Sequence, residues 1–172
     1  YDFCRTVDNI ADEEGEIEIK KNKLLTFKNN FNNKNYSDPI IKNMWNLIEE
    51  HRISKKIVDD LFDGVESDLK SKVEISSKKD LLIYSYRVAG TVGLMMAKIL
   101  DVKDKNSLKS AIDMGIAMQL TNISRDVIED SKNNRFYILH TFETIKETLK
   151  ISDLFYESSF APIKKIPISF RF

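Results

Sequence analysis

Two pairs of aspartates in this chain share the spacing D-x-x-x-D, Asp8 with Asp12 and Asp126 with Asp130. Residues four apart lie on one face of an α-helix, where two carboxylates repel each other by about 0.2–0.5 kcal/mol. A cation between them removes this repulsion, and Mg²⁺ commonly links one or two carboxylates to phosphate oxygens of a substrate. The spacing therefore indicates a metal-dependent site, although one isolated pair is more often a solvated acidic surface.

The second pair has polar neighbours in the stretch SLKSAIDMGIAMQLTNISRDVIEDSKN. At about 100° per residue, Gln119 and Asn122 fall in the same arc of the helix as Asp126 and Asp130. Apolar residues adjoin this polar stripe, whereas an ordinary solvated face lies opposite the apolar face. The pattern predicts a polar seam that lines a cavity at the edge of the core.

The first pair has a basic neighbour, since Arg5 lies within about 60° of Asp8 and Asp12 on the same helical face. Two such pairs facing each other across a helical bundle would bind a polyanion through bridging metal ions. Arg5 is then placed for a direct hydrogen bond to phosphate. Together the two pairs favour a functional site over surface decoration.

A third feature is the stretch YSYRVAGTVGLMMA, which places Tyr84, Val88 and Val92 on one helical face and Gly90 and Gly93 on another. A glycine inside a helix is about 1 kcal/mol less favourable than alanine, so its presence needs a structural reason. Close contact with another helix is the favoured explanation. By itself this helix indicates core packing and not a ligand site.

These residues require helices to position them, and the composition predicts an all-α fold. The 172 residues contain only five glycines and three prolines, and no segment keeps the two-residue alternation of a half-buried strand. Asp38 before Pro39, and Ser54, have the sequence pattern of helix N-caps. The predicted helices span residues 1–14, 17–31, 39–51, 54–72, 78–100 and 105–131, with a weaker one near 141–150.

Composition also excludes several classes of function. The 27 basic residues balance 27 acidic ones, so no overall positive field attracts nucleic acid or anionic membranes. One cysteine, Cys4, and two histidines make a disulfide impossible within the chain and argue against a zinc site. The apolar stretch 88–97 is half the roughly 20 residues needed to span a bilayer, so it indicates a buried helix.

The motifs resemble those of a known family. YSYRVAGTVG, GIAMQLTNISRDVIED and NNRFYI resemble the phytoene synthase branch of the squalene and phytoene synthase family, and CRTVDNIADE resembles its first aspartate-rich motif. The resemblance runs from Tyr1 to about His140 and implies an isoprenoid synthase helical bundle. Residues 1–140 would form a partial domain, and 141–172 a divergent or incomplete C-terminal segment of it. We expect a fragment truncated at both ends.

The resemblance implies a prenyltransferase that couples two geranylgeranyl diphosphates head to head. The product would be phytoene, formed through a cyclopropyl (prephytoene) diphosphate in the first committed step of carotenoid biosynthesis. Mg²⁺ is the expected cofactor, with Mn²⁺ as a substitute, and no NADPH is expected. One alternative is a squalene-type or dehydrosqualene-type synthase that uses farnesyl diphosphate. Another is a non-catalytic relative that acts as a scaffold.

The resemblance also implies roles for individual residues. The expected catalytic and metal-binding residues are Asp8, Asp12, Asp126 and Asp130, with Tyr84 near the reacting carbons. The expected substrate-binding residues are Arg5, Gln119, Asn122, Arg125, Val88 and Val92. Arg125 is the least favourably placed of these, because on an ideal helix it points about 100° away from Asp126.

Partners and location follow from this chemistry. Prenyl diphosphates are the expected partners, nucleic acid is not expected, and the oligomeric state stays open. We expect a cytoplasmic protein in loose association with a membrane, because a C40 product is insoluble in water, or a plastid protein in a photosynthetic eukaryote. The apolar tail FAPIKKIPISFRF has no predicted packing partner within the chain.

Overall fold

The structure, a computed structural model, describes residues 1–163, except for the side chains of residues 161 and 163. It confirms the predicted all-α class. The helices are α1 (Asp2–Asp12), α2 (Ile17–Asn32), α3 (Pro39–Glu50), α4 (Lys55–Asp68), α5 (Lys78–Ser85), α6 (Thr91–Ile99), α7 (Lys105–Lys132) and α8 (Phe142–Ile163).

The predicted helix starts at Pro39 and after Ser54 are confirmed. The Asp38 carboxylate accepts a hydrogen bond from the Ile40 amide at 2.8 Å, which satisfies one of the free N–H groups of the first turn of α3. Ser54 occupies the N-cap of α4 but makes no capping hydrogen bond through its side chain. The cap position is therefore as predicted at both helices, whereas a capping hydrogen bond from the side chain forms only at Asp38.

Helix α4 ends at Asp68, four residues before its predicted end, because the chain then enters a short parallel strand pair. Strand β1 (Val73–Glu74) pairs with β2 (Arg135–Phe136). The Val73 amide donates to the Asn134 carbonyl at 2.9 Å, and the Ile75 amide donates to the Phe136 carbonyl at 3.0 Å. A two-residue strand has too little alternation to be detected from sequence.

The helix predicted at 78–100 contains a π-helical turn at Tyr86–Gly90, between α5 and α6. There the Thr91 amide donates to the Tyr86 carbonyl, five residues earlier, and the Thr91 hydroxyl donates to the Arg87 carbonyl at 2.7 Å. Turns of this kind are often found at functional sites. This one lies between Tyr84 and Val92, two of the predicted site residues.

The glycines of this region lie where two helices are in close contact, as the sequence predicted. A Cβ added at Gly93 would lie 2.2 Å from the Ala111 carbonyl oxygen of α7. On the opposite side, a Cβ at Gly115 would lie 2.4 Å from the Ala89 carbonyl oxygen. Only glycine permits this approach, so the two residues set the distance between α7 and the helix that carries Tyr84.

Helix α1 is held by a cluster of aromatic rings contributed by α2, α3 and α4. The ring of Phe3 lies 5.2 Å from that of Phe31 and 5.8 Å from that of Phe62. Phe31 stacks on Trp45 at 5.0 Å, and the Trp45 indole N–H donates to the Phe31 carbonyl at 2.8 Å. Phe31 and Phe62 are fully buried, so this cluster anchors α1 through side-chain packing.

Helix α8 runs antiparallel to α7 and extends well beyond the predicted 141–150. Its buried face consists largely of small hydroxyl residues, which a search for apolar periodicity does not detect. Thr148, Ser152 and Ser159 are buried on this face, and the Ser152 hydroxyl donates to the Ala117 carbonyl of α7 at 2.8 Å. The predicted unpartnered tail falls mostly on residues 164–172, outside the described residues.

Within residues 1–163, no helix combines the length and the apolar character that crossing a membrane requires.

Candidate active site

The two aspartate pairs line one polar cavity of about 200 Å³. Asp8 and Asp12 enter it from α1, and Asp126 and Asp130 enter it from α7. The two helices are far apart in sequence, and the fold brings their carboxylates to the same cavity. With Asp68 from α4, five carboxylates line this small cavity, and bound cations would offset the repulsion between like charges at short range.

Arginines partly neutralise the α1 pair. Arg5 Nη1 lies 3.3 Å from Asp8 Oδ2, and Arg135 Nη1 donates to Asp12 Oδ1 at 3.1 Å. Burial, and then the neighbouring Asp12 carboxylate, raise the pKa of Asp8 above its usual range. Asp8 therefore favours a bound cation more strongly than an ordinary surface aspartate does.

The two carboxylates of the α7 pair have opposite electrostatic environments. Arg125 donates to both oxygens of Asp126 at 2.6 Å, and these hydrogen bonds lower the pKa of Asp126. Burial raises the pKa of Asp130 to about 6, although Arg135 opposes that shift. No hydrogen bond to the Asp130 side chain is found among residues 1–163, so this carboxylate is the one most in need of a positive ligand.

The polar seam predicted on α7 lines the cavity with Gln119 and Asn122 beside the two aspartates. Arg125 differs from them, because its side chain is 68% exposed and it does not line the cavity. It contacts the Asp126 carboxylate from the outer side of α7. A role for Arg125 in direct phosphate binding stays a prediction, and what the structure places there is an ion pair with Asp126.

Three polar residues that line the cavity, Asp68, Arg135 and Tyr137, had no role predicted from the motifs. Asn134 adopts a positive φ of 57° directly after α7, a conformation that asparagine tolerates better than most residues, and turns the chain into β2. Alternation along the strand then directs Arg135 and Tyr137 to the same side. The motif NNRFYI contains both residues. Their place in the cavity depends on the turn at Asn134 and on the strand pairing, which the motif alone does not indicate.

Arg135 links the two sides of the cavity. Besides Asp12, it donates to the Ala11 carbonyl at 3.3 Å, so its guanidinium is held against the end of α1. The side chain is 20% exposed, and the acidic groups around it raise its pKa above the usual range even though burial acts in the opposite direction. A fixed, permanently charged guanidinium among carboxylates is suited to bind a diphosphate through paired hydrogen bonds.

Tyr84 is buried, and its hydroxyl belongs to a hydrogen-bond network at the inner end of the cavity. It donates to Asp68 Oδ2 at 2.8 Å and lies 3.0 Å from the Tyr137 hydroxyl, which donates to Asp68 Oδ1 at 2.7 Å. The two phenol rings stack at 4.7 Å. Burial raises the pKa of Tyr84, Tyr137 and Asp68, and for the tyrosines the adjacent carboxylate adds to the effect.

A larger cavity of about 450 Å³ adjoins the polar one. Asp8, Val65, Val88 and Gln119 line both cavities, and Val92 lines only the larger one. Its other walls are mainly apolar and include Ile40, Met44, Leu47, Leu61, Met95 and Ile99. The predicted channel residues Val88 and Val92 therefore lie on the wall of an apolar compartment that meets the carboxylates at one end.

The donor set fits a metal that is completed by ligand oxygens. Among the residues that the structure describes, no group of three or more Asp, Glu, His or Cys could hold a metal ion by itself. Each pair instead offers two carboxylates on one helical face. Mg²⁺ takes one or two carboxylates together with phosphate oxygens and water, so the arrangement suits an ion that binds with a diphosphate.

Comparison with known proteins adds independent information. A sequence model of the squalene/phytoene synthase family matches residues 1–140. The phytoene synthase of Pseudescherichia vulneris is 32% identical over 151 residues, and the alignment covers 80% of this chain and 48% of that protein. The chain thus spans about half the length of this curated relative.

The fold is also similar to that of solved structures. The squalene synthase HpnC from Alicyclobacillus acidocaldarius has a TM-score of 0.78 at 17% identity, over 96% of this chain and 71% of that chain. A dehydrosqualene synthase solved in complex with a ligand has a TM-score of 0.75 at 25% identity, over 98% of this chain and 66% of that chain. The likeness confirms the isoprenoid synthase bundle predicted from the motifs.

Proposed function

The chain belongs to the squalene/phytoene synthase family, and from that premise we propose that its protein is a prenyltransferase that joins two prenyl diphosphates head to head. One observation carries the proposal. Both aspartate pairs and Arg135 surround a polar cavity that shares four lining residues with an adjoining apolar one. A prenyl diphosphate has the same division, with a charged head and a long apolar chain.

The polar cavity would hold the diphosphate heads. Arg135, fixed against Asp12, and Arg5, beside Asp8, would donate hydrogen bonds to phosphate oxygens. Asp8, Asp12, Asp126 and Asp130 would hold divalent cations, which we expect to be Mg²⁺. When bound, Mg²⁺ supplies charge that makes diphosphate a better leaving group. Gln119 and Asn122 are placed to hydrogen-bond the same group.

The apolar cavity would hold the prenyl chains. Val88 and Val92 lie on its wall, and Tyr84 lies at the inner end of the polar cavity beside Val88. A buried aromatic ring at this position stabilises an allylic cation through its π face, and apolar walls keep water from capturing the cation. The reacting carbons would therefore lie near Tyr84, between the two compartments.

For the substrate we propose geranylgeranyl diphosphate, with phytoene as product through a cyclopropyl diphosphate. Similarity to the phytoene synthase of Pseudescherichia vulneris supports this choice. The structural likeness to a dehydrosqualene synthase favours farnesyl diphosphate as the second candidate. The two candidates use the same polar cavity and differ in the length of chain that the apolar cavity must hold.

The test is incubation of the full-length protein with each diphosphate and Mg²⁺, with and without NADPH, followed by analysis of the lipid products. We expect a C40 product from geranylgeranyl diphosphate that does not depend on NADPH. A product formed only from farnesyl diphosphate would replace the first candidate by the second. No product from either substrate would favour the non-catalytic scaffold.

The assignment of the aspartates has its own test. We expect Asp126→Ala to lower product formation by about 10²–10³-fold, the effect of removing one stabilising group from a charged transition state. Asp153→Ala is the matched control, because Asp153 is an exposed aspartate of α8 that lines neither cavity. If the Asp126 variant keeps the activity of the control, the proposed metal site is wrong.

A further inference from the structure

Asp68 is a half-buried carboxylate that the proposed metal and diphosphate sites do not use. It lies at the last residue of α4 and lines the inner end of the polar cavity. Its two oxygens accept hydrogen bonds from two different tyrosines, Tyr84 at 2.8 Å and Tyr137 at 2.7 Å. Because each of its oxygens accepts a hydrogen bond from a tyrosine, this carboxylate has partners within the protein and needs no bound cation.

The hydrogen bonds define where the hydroxyl protons point. An ionised carboxylate only accepts, so both tyrosine protons are directed to Asp68. Tyr137 donates to one oxygen, and Tyr84 donates to the other with the Tyr137 hydroxyl 3.0 Å away. With its proton held by Asp68, the Tyr84 hydroxyl has only oxygen lone pairs left for a ligand in the cavity.

We propose that Asp68 is a positioning residue which, together with Tyr137, makes Tyr84 present its phenol oxygen and ring to the substrate as an electron-rich group and not as a hydrogen-bond donor. This inference rests on the proposed function, because it assigns a role in that reaction. A hydrogen bond to a carboxylate polarises the phenol and increases the electron density of its oxygen and ring. Both changes strengthen the attraction of a carbocation.

Different residues of the cavity would then interact with the diphosphate and with the carbocation. Tyr84 would not protonate or hydrogen-bond the departing diphosphate, since Asp68 holds its proton. Arg135 and Arg5 would then bind the diphosphate, and Tyr84 would stabilise the carbocation. Asp68 would therefore affect the rate of the chemical step more than the binding of the diphosphate head.

The molecule contains a matched control in a second aspartate–tyrosine pair. Asp60, a buried residue of the same helix α4, accepts from the Tyr86 hydroxyl at 3.2 Å. This pair joins the same two segments of the chain but lines neither cavity. Asp60→Asn therefore measures what the loss of such a carboxylate does to folding alone.

The experiment compares Asp68→Asn with Asp60→Asn in the full-length protein. Asparagine keeps the shape, but its amide would donate to one phenol oxygen and occupy a lone pair. We expect Asp68→Asn to lower kcat by about 10- to 100-fold, as the loss of an outer partner of a site typically does, with KM for the prenyl diphosphate unchanged. Asp60→Asn should keep the wild-type kcat and KM.

A double-mutant cycle tests whether Asp68 acts through Tyr84. In a Tyr84→Phe background, Asp68→Asn should lower kcat by less than about 3-fold, because coupled residues are not additive. The resonance of a ¹³Cζ-labelled Tyr84 should shift in Asp68→Asn and stay in place in Asp60→Asn. Equal kcat in the two asparagine variants, or fully additive effects in the cycle, would overturn the inference and leave the proposed function standing.

Tyr137→Phe tests the same positioning role if Asp68→Asn does not fold. It removes one donor to Asp68 and leaves the carboxylate in place. We expect a several-fold lower kcat with KM unchanged, and no further loss when it is combined with Tyr84→Phe. Wild-type kcat in Tyr137→Phe would overturn the inference. A wild-type protein that forms no product would instead overturn the proposed function, and this inference with it.

Discussion

The two carboxylate pairs have the same spacing but are supported in different ways. The α1 pair lies on a helix of 11 residues that is anchored by interlocking aromatic side chains. The α7 pair lies near the end of a helix of 28 residues, whose position depends on backbone contacts at Gly93 and Gly115. One half of the site thus depends on side-chain packing, and the other depends on the absence of side chains.

The two halves of the site are therefore disrupted by opposite kinds of substitution. A helix anchored by large rings is displaced when a ring is removed and a cavity forms. A helix in backbone contact with its neighbour is displaced when an atom is added. Arg135 is the point where the halves meet, since it follows α7 in sequence and hydrogen-bonds the end of α1.

The largest expected effect comes from removing a ring beneath α1. Phe31 is fully buried between Phe3, Phe62 and Trp45, so Phe31→Ala should lower the free energy of unfolding by about 3–5 kcal/mol, measured by urea denaturation. Phe160→Ala is the control, because Phe160 is 58% exposed on α8.

Hydrogen exchange of the Phe31→Ala variant would show whether α1 and α7 have separate structural support. Amides of α1 should lose protection before those of α7, because α1 packs on the aromatic cluster and α7 does not. Equal loss in both helices would show that the two carboxylate pairs share one support.

A smaller effect is expected from adding one methyl group between α6 and α7. Gly93→Ala should lower the free energy of unfolding by about 1–3 kcal/mol, because the new Cβ meets the Ala111 carbonyl at 2.2 Å. At an unhindered position within a helix, replacing glycine by alanine would instead raise the free energy of unfolding. Met118→Ala, at an exposed position of α7, should stay within about 0.5 kcal/mol of the wild type.

The smallest effect concerns pH and distinguishes the two carboxylates of α7. The pKa of Asp130 is raised from 3.8 to about 6, so the folded protein favours its neutral form. The stability gained from that form is fully present below about pH 4 and is lost as the pH rises through 6. In metal-free protein, Asp130→Asn should therefore be more stable than the wild type above pH 6, by under about 1 kcal/mol because solvent screens a half-exposed group.

Asp126 should show the opposite sign, because Arg125 lowers its pKa. Its stabilising contribution is present above the usual aspartate pKa and is lost as the pH falls through the lowered value. Asp126→Asn should thus be less stable than the wild type at neutral pH, as thermal unfolding across pH can measure. If both asparagine variants shift stability in the same direction, the contrast between the two carboxylates is wrong.

Features that depend on local spacing could be predicted from the sequence. The all-α class, most helix positions, and the placement of Asp126, Asp130, Gln119 and Asn122 along one stripe of α7 follow from the helical period, which acts over a few residues. The close contact at Gly93 was also predictable, because an interior glycine needs a reason. The length of α8 was not, since its buried serines carry no apolar signal.

The residues that complete the site could be identified only from the folded chain. Arg135 meets Asp12 across 123 positions of sequence, and Tyr137 meets Asp68 across 69. Such contacts depend on a left-handed turn at Asn134, a strand pair of two residues and an early end to α4, none of which produces a periodic pattern. The sequence therefore predicted the carboxylates, whereas the arginine and the hydrogen-bonded tyrosines around them required the packed chain, because their positions depend on contacts between distant segments.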